Sequence, residues 1–250
     1  MATTVRLGDR ELNRIGLGTN RLRRSEENVS LVRAAVLAGV QLVDTAYTYT
    51  GGESEETIGE AGPADTVVAT KGGWNGARPE VLRAEIEESL RRLRSDAIDL
   101  YYLHRPDPET PLEESLAAID EYRRSGKIRH VGVSNVGVEQ IERARQVVPV
   151  AAVQNHYNLA ERQHEDVVDY CEREGILFVP YFPLRGDGPR AVAAIAERHG
   201  ATRAQIALAW LLLRSATILP IPGTLSLEHA RENVAALEIV LTDDEFAALT

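Results

Sequence analysis

Short apolar runs recur along the chain, and polar or turn-forming residues separate them. Within each run the residues are almost continuously apolar, which is typical of strands buried on both faces of a parallel sheet. We predict eight strands, at 15–19, 41–45, 66–70, 97–103, 129–133, 151–155, 176–181 and 217–221.

Amphipathic stretches of helical period lie between most of these runs. The clearest is 79–94, in which Pro79 suits a first helical turn and the large apolar residues fall on one face. Further helices are predicted at 26–38, 112–125, 137–147, 162–174, 202–213 and 226–237. Glycines follow several of the helical patterns, as C-terminal caps do, at Gly39, Gly126, Gly175 and Gly200.

The alternation of strand and helix predicts parallel strands covered by helices. A closed (β/α)8 barrel has this length and this number of repeats, and we predict one domain over 1–250 because no linker-like stretch interrupts it. A doubly wound open sheet is the alternative fold. The opening segment "TVRLGDRELNR" is predicted to be a hairpin that turns at Gly8 and Asp9 and closes the bottom of the barrel.

Composition narrows the classes of partner. A formal net charge of −10 and a pI near 5.2 argue against nucleic acid and anionic membrane surfaces, because the field of the protein repels phosphate. The longest apolar run, 206–213, is far short of the roughly 20 residues that cross a bilayer, and no signal-peptide pattern follows Met1. We therefore expect a cytoplasmic protein. The lone Cys171 and the scattered histidines predict neither a disulfide nor a metal site.

Polar residues follow nearly every predicted strand, at the end of a barrel where chemistry is found. Any one of them is most simply the first residue of a loop. Asp44, Lys71 and His104 are different, because three ionisable groups leaving three successive strands are neighbours on one rim. Lys71 is also one of only two lysines among 28 basic residues.

The loop after Asp44, "VDTAYTYTGG", adds two phenols to this rim, those of Tyr47 and Tyr49. A free phenol has a pKa near 10, and a lysine cation beside it stabilises the phenolate and lowers that value. Asp44 can hold the ammonium in place, and His104 can position an acceptor oxygen. The group is suited to protonating a carbonyl oxygen while a cofactor supplies hydride to the carbon.

These residues belong to a series of motifs that resembles the aldo-keto reductase superfamily. The resemblance covers almost the whole chain, through "GLGTN", "DTAYTY", "ESEETIGEA", "TKGGW", "LYYLHRPD", "GKIRHVGVSN", "VQNHYN", "PYFPL", "ALAWLL", "IPGT" and "ENVAAL". It implies a (β/α)8 barrel that reduces aldehydes and ketones with a nicotinamide cofactor. It also implies four catalytic residues, Asp44, Tyr49, Lys71 and His104. Thr50, where the family usually has glycine, is a departure in the loop, and Tyr47, Trp74 and Asn75 are the expected substrate contacts.

The resemblance assigns the cofactor site as well. Ser134, Asn135 and Gln154 would hold the nicotinamide carboxamide, and Tyr181 would stack on the ring. Family members that prefer the 2′-phosphate carry two cations at the adenosine end that this chain replaces with other residues. NADP(H) is favoured by family habit, and NAD(H) is the alternative because Glu228 and Glu232 lie nearby. The remaining expected cofactor contacts are Thr19, Asn20, Phe182, Leu184, Arg185, Gly223, Thr224, His229, Glu232 and Asn233.

The sequence therefore predicts an NAD(P)H-dependent reductase of small carbonyl compounds, with a relatively open site. A monomer is expected, and an oligomer is left open. Two alternatives remain, a cofactor-sensing regulatory subunit and an aldolase in which Lys71 forms a Schiff base.

Overall fold

The chain begins with an antiparallel hairpin, β1 (Thr4–Leu7) and β2 (Arg10–Asn13), in the computed structural model, which describes residues 2–186 and 188–250. Gly8 lies in the left-handed region at φ 60°, and a Cβ there would collide with the imidazole of His130, near the start of a later strand. Leu7 and Leu12 join the side chains that fill the barrel interior. The hairpin therefore closes the end of the barrel opposite the strand exits, as predicted.

Seven parallel strands then pair in the order in which they occur along the chain. A doubly wound sheet reverses its strand order at a switch point, and this one does not, so that alternative is excluded. The strands are β3 (Leu17–Gly18), β4 (Leu42–Asp44), β5 (Val67–Gly72), β6 (Ile98–Leu103), β7 (Ile128–Ser134), β8 (Val150–Gln154) and β9 (Leu177–Phe178).

Residues 217–223, the closing segment, join the two edges of this sheet. Leu219 N–H donates to Phe178 O of β9 at 2.9 Å, and Gly18 N–H of β3 donates to Pro222 O at 3.3 Å. The predicted strand at 217–221 is extended but is not a regular strand. Pro220 and Pro222 have no N–H, so they cannot donate toward β3, and only half of a ladder forms.

Helices cover the outside of the sheet and were mostly predicted. The described residues contain α1 (Glu26–Leu37), α2 (Glu53–Ala61), α3 (Pro79–Leu93), α4 (Leu112–Arg124), α5 (Val138–Arg145), α6 (Glu165–Glu174), α7 (Ala191–His199), α8 (Arg203–Arg214), α9 (Leu227–Ala235) and α10 (Asp243–Leu249). Short 3-10 turns occupy Tyr49–Gly52 and Ala236–Glu238. Over the two described ranges, no helix has the length and apolar character to cross a membrane.

Candidate active site

Three neighbouring strands bring the ionisable residues of the motifs together. Asp44 is the last residue of β4, Lys71 lies near the end of β5, and His104 directly follows β6. Because these strands are adjacent and parallel, their carboxyl ends meet at one rim. All three side chains are buried, with exposed fractions of 6% or less.

The ammonium of Lys71 is held by three oxygens. It donates to Asp44 Oδ1 at 2.7 Å, to the backbone oxygen of Thr45 at 2.6 Å and to the phenol oxygen of Tyr49 at 3.4 Å. Burial alone would lower the pKa of Lys71, but Asp44 and Tyr49 together raise it above its ordinary value. Lys71 is therefore a cation at neutral pH, aimed at the phenol.

Tyr49 opens the 3-10 turn that follows β4. Thr50, Gly51 and Gly52 all have φ in the left-handed region, at 51°, 69° and 99°. The threonine tolerates this conformation because its hydroxyl donates to the backbone oxygen of Leu22 at 2.8 Å. The departure from glycine at position 50 is thus accommodated by a hydrogen bond to a neighbouring loop.

The pKa of Tyr49 does not follow the sequence-based expectation. Burial raises the pKa of the phenol above 10, although Lys71 lowers it, and the Asp44 carboxylate adds to the rise. The ammonium shares its charge between a carboxylate and the phenol, so it offsets only part of the loss of solvent. Without a ligand, Tyr49 is therefore a protonated phenol at neutral pH.

His104 is an uncharged imidazole beside that phenol. Its ring meets the Tyr49 ring edge to face, with centroids 6.1 Å apart. Burial lowers the pKa of His104 to about 3, helped by the charges of Lys71 and Arg105. Nδ1 is buried and has no hydrogen-bond partner within the described part of the chain. A neutral ring can donate one hydrogen bond to an oxygen bound at this rim.

A cavity of about 540 Å³ opens at the rim. Ser134, Asn135, Gln154 and Tyr181 lie side by side in its wall. Gln154 Nε2 donates to Asp44 Oδ2 at 2.8 Å, and the Tyr181 hydroxyl donates to Asn135 Oδ1 at 2.8 Å. The amides and the tyrosine are therefore fixed before any ligand binds.

His156 supports Tyr181 from behind and was missed at the level of sequence. The two rings are stacked, with centroids 5.3 Å apart and planes 8° from parallel. One face of Tyr181 is covered by this imidazole, which leaves the other face for a ligand. His156 stands two residues after Gln154, and that spacing on a strand exit was the available signal.

The outer part of the cavity carries two arginines. Arg185 was predicted, and its guanidinium lies 5.1 Å from the Phe182 ring centroid. Arg21 was not predicted, and it donates to the backbone oxygen of Gly223 at 3.3 Å. The cavity is lined in full by Gly18, Thr19, Asn20, Arg21, Asp44, Thr48, Tyr49, Trp74, His104, Ser134, Asn135, Gln154, Tyr181, Phe182, Pro183, Leu184, Arg185, Ile221, Pro222 and Gly223.

Four predicted cofactor residues lie beyond this lining, on the loop and helix after the closing segment: Thr224, His229, Glu232 and Asn233. Thr224 Oγ1 accepts from Ser226 N–H at 3.0 Å, and Ser226 Oγ caps α9 by accepting from His229 N–H. The side chain of His229 is exposed and that of Asn233 is buried. This end of the site offers hydroxyls and a helix N-terminus in place of fixed cations.

Of the three expected substrate contacts, one lines the cavity and two lie outside the lining. Trp74 lines the cavity, with its ring 4.7 Å from the His104 ring, and the Arg105 guanidinium lies 4.6 Å from its centroid. Asn75 is exposed and lies outside the lining. Tyr47 is also outside it, because its ring packs against the guanidinium of Arg92 at 4.5 Å. Among the described residues, no group of three His, Cys, Asp or Glu side chains could hold a metal ion.

Comparisons with known proteins agree on one family. A family model described as "Aldo/keto reductase family" matches residues 14–250. Pyridoxine 4-dehydrogenase of Escherichia coli is 34% identical over 279 residues, which cover 99% of this chain and 97% of that protein. The thermostable aldo-keto reductase Tm1743, crystallised with the inhibitor epalrestat, superposes with a TM-score of 0.93 at 36% identity and covers 99% of this chain and 98% of its own. An aldo-keto reductase of Klebsiella pneumoniae, crystallised with NADP and acetate, gives 0.91 at 34% identity, with 100% and 94% covered.

Proposed function

The chain belongs to the aldo-keto reductase family, and from this we propose that it reduces a small carbonyl compound with NADPH, with Tyr49 as the proton donor. The observation that carries the proposal is the ammonium of Lys71, which lies between the carboxylate of Asp44 and the phenol of Tyr49. A buried cation beside a protonated phenol is suited to general acid catalysis.

The cavity wall fits a nicotinamide. Gln154 Nε2 is engaged by Asp44, so Oε1 is the atom left to accept from a carboxamide NH2. Tyr181 presents one free face because His156 covers the other, and a flat ring stacks there. Arg21 and Arg185 are the two arginines in the cavity lining, and they would be the residues to pair with the cofactor phosphates. The Klebsiella relative with NADP supports NADPH, and NADH is the weaker candidate.

A bound dihydronicotinamide would supply the hydride, and residues of the protein would donate the proton and stabilise the phenolate that remains. The carbonyl oxygen accepts hydrogen bonds from the Tyr49 hydroxyl and the neutral His104 imidazole. As hydride reaches the carbon, the phenol proton moves to the oxygen and leaves a phenolate. Lys71, 3.4 Å away, stabilises that phenolate, and Asp44 keeps the ammonium from turning aside. Lys71 offsets part of the rise that burial causes in the pKa of Tyr49, and each pKa unit so offset stabilises the phenolate by about 1.4 kcal/mol.

Label transfer tests this proposal. The protein is incubated with NADPH carrying deuterium at both C4 positions and a panel of aldehydes and ketones, which includes pyridoxal because the E. coli relative is a pyridoxine 4-dehydrogenase. We expect deuterium on the carbinol carbon of at least one product, detected by mass spectrometry and NMR. NADPH that binds saturably but transfers no label to any member would overturn the proposal and favour the regulatory alternative.

The aldolase alternative is less consistent with the site. Schiff-base formation needs a neutral amine, whereas the pKa of Lys71 is raised by Asp44 and Tyr49. Its three hydrogen bonds also hold the ammonium protons. Borohydride treatment in the presence of aldehyde substrate is therefore expected to leave Lys71 unmodified.

A further inference from the structure

We propose that Arg92 is a positioning residue that sets the distance between the Tyr49 hydroxyl and the Lys71 ammonium. This inference rests on the proposed function. Arg92 lies on α3, outside the cavity lining, and its side chain is only 13% exposed. It touches neither of the two reacting groups, and it acts through the segments that carry them.

One set of contacts holds the loop of Tyr49. Arg92 Nη1 donates to the backbone oxygen of Tyr47 at 3.0 Å, and the guanidinium lies 4.5 Å from the centroid of the Tyr47 ring. At the other end of the loop, a Cβ on Gly52 would lie 2.5 Å from Arg92 Cζ. The guanidinium therefore touches both ends of the turn that carries Tyr49.

A second set of contacts links Arg92 to β5, the strand that carries Lys71. The same Nη1 donates to Glu55 Oε2 at 3.2 Å, and Glu55 Oε1 accepts from the Thr70 hydroxyl at 2.6 Å. Thr70 directly precedes Lys71 in β5. Glu55 is fully buried, so its carboxylate needs these partners. One nitrogen of Arg92 is thereby linked to both halves of the catalytic pair.

A third contact fixes the guanidinium itself. Arg92 Nε donates to Glu88 Oε1 at 3.0 Å, one helical turn earlier on α3. The planar guanidinium can satisfy these partners at the same time, whereas a lysine ammonium on a flexible stem cannot hold the same fork. Arg92 is therefore held on its helix by Glu88, and its planar guanidinium donates in two directions, to Tyr47 O and to Glu55 Oε2.

The distance from Lys71 Nζ to Tyr49 Oη is sensitive to small shifts of either residue. At 3.4 Å the contact from Lys71 to Tyr49 is already longer than the usual hydrogen bond, so little further separation breaks it. A longer contact stabilises the phenolate less, which weakens the acid during hydride transfer. The cofactor contacts lie on other strands and do not depend on Arg92.

Matched variants of the full chain separate this role from simple stability. Arg92→Lys keeps the charge and removes the fork. Arg83→Met is the control, because Arg83 is exposed on the same helix, binds Glu121 and is not hydrogen-bonded to the loop, Glu55 or Glu88. Glu55→Gln tests the link to Thr70 independently and serves where Arg92→Lys fails to fold.

The readouts are kcat, KM, the dissociation constant of NADPH from fluorescence, and the pH profile of kcat. For Arg92→Lys we expect kcat to fall roughly 10- to 100-fold, as misplacement of reacting groups does. KM and the NADPH dissociation constant should stay within about threefold, and the alkaline limb of the profile should move to higher pH as Tyr49 loses its cation. Arg83→Met should match the wild type throughout.

Crystal structures of the wild type and Arg92→Lys measure the geometry without turnover. We expect the separation of Lys71 Nζ and Tyr49 Oη to increase in the variant. An unchanged separation, or an Arg92→Lys protein with wild-type kcat and pH profile, overturns the inference. A wild type that transfers no label from NADPH refutes the proposed function instead. The crystallographic comparison still tests whether Arg92 sets the separation of Lys71 Nζ and Tyr49 Oη.

Discussion

Lys71 holds the site together by charge as well as by geometry. Lys71→Met leaves the Asp44 carboxylate buried without its counter-ion, and we expect the free energy of unfolding to fall by about 3 to 5 kcal/mol, with reduction nearly abolished. Adding Asp44→Asn removes the uncompensated charge, so the double variant should recover much of the stability and none of the activity. Urea unfolding and NADPH turnover of Lys71→Met, Asp44→Asn and the double variant check this, and additive losses of stability would contradict the pairing.

His104 should make the protein sensitive to acid. Its pKa is near 6.5 when unfolded and about 3 when folded, because burial disfavours the imidazolium. Between these values the unfolded state binds more protons, so stability falls as the pH drops from 6.5 toward 3, by about 3 to 5 kcal/mol in total. His104→Gln should remove that part of the pH dependence, measured by urea unfolding at several pH values.

The control is His229→Gln, on the exposed surface of α9, which should keep the wild-type slope. A His104→Gln protein whose stability falls as steeply as that of the wild type over the same range would show that His104 is not the group responsible. Because the folded pKa is so low, no change in reduction rate above pH 5 should come from His104 itself.

The motifs predicted the groups that are proposed to react, and the structure shows the contacts that hold them. Asp44, Lys71 and His104 lie at or just after the carboxyl ends of adjacent strands, so their meeting could be predicted from order alone. The supports could not, because Arg92 and Glu55 lie on helices and reach the site through one backbone oxygen, that of Tyr47, and the hydroxyl of Thr70. The direction of the pKa of Tyr49 was also beyond the sequence, since it depends on how far burial outweighs the charge of Lys71.

The contact between α2 and α3 depends on a missing side chain. A Cβ on Gly59 would collide with the backbone oxygen of Arg92 and lie 2.8 Å from the carbonyl carbon of Leu93. Alanine normally stabilises a helix by about 1 kcal/mol relative to glycine, yet Gly59→Ala should destabilise this protein by about 1 to 3 kcal/mol. Thermal or urea unfolding measures the sign.

Gly137→Ala provides the comparison, because Gly137 has φ −91° and nothing within 4 Å of an added Cβ. Its effect should stay within about 0.5 kcal/mol. A stabilised Gly59→Ala protein would mean that the two helices are free to move apart.

Periodicity found most of the strands and helices whose buried faces are apolar, although it gave no range for α7 or α10, whose buried residues are few. It missed α2, because the residues that α2 buries include Ser54, Glu55 and Thr57. It also overstated the eighth strand, where the apolar run is extended but two prolines remove the donors of a ladder. For α2 the pattern of burial is set by partners far away in sequence, whereas the two prolines of the closing segment could be read from the sequence itself.

A buried arginine, Arg14, connects the segments that close the barrel. Arg14 is 1% exposed and donates to the backbone oxygens of Ala2, Leu212, Ile218 and Ser215, which joins the chain start, α8 and the closing segment. Burial lowers its pKa to about 10, so it stays charged at neutral pH.

Arg14→Met should lower the free energy of unfolding by about 2 to 5 kcal/mol, because several buried carbonyls lose their donor. Arg6→Met, on the exposed face of β1, should change it by less than about 0.5 kcal/mol. Equal losses in the two variants, measured by urea unfolding, would rule out the part assigned to Arg14 in closing the barrel.

The central claim is that Tyr49 gives its proton to the carbonyl oxygen while hydride arrives. The most direct test is the single-turnover rate of NADPH oxidation in Tyr49→Phe, with Tyr47→Phe as the neighbouring phenol that packs on Arg92 instead. We predict that Tyr49→Phe lowers the rate about 10²- to 10⁴-fold with NADPH affinity nearly unchanged, while Tyr47→Phe keeps most of it. A Tyr49→Phe protein that retains its rate while Tyr47→Phe loses it would contradict the claim.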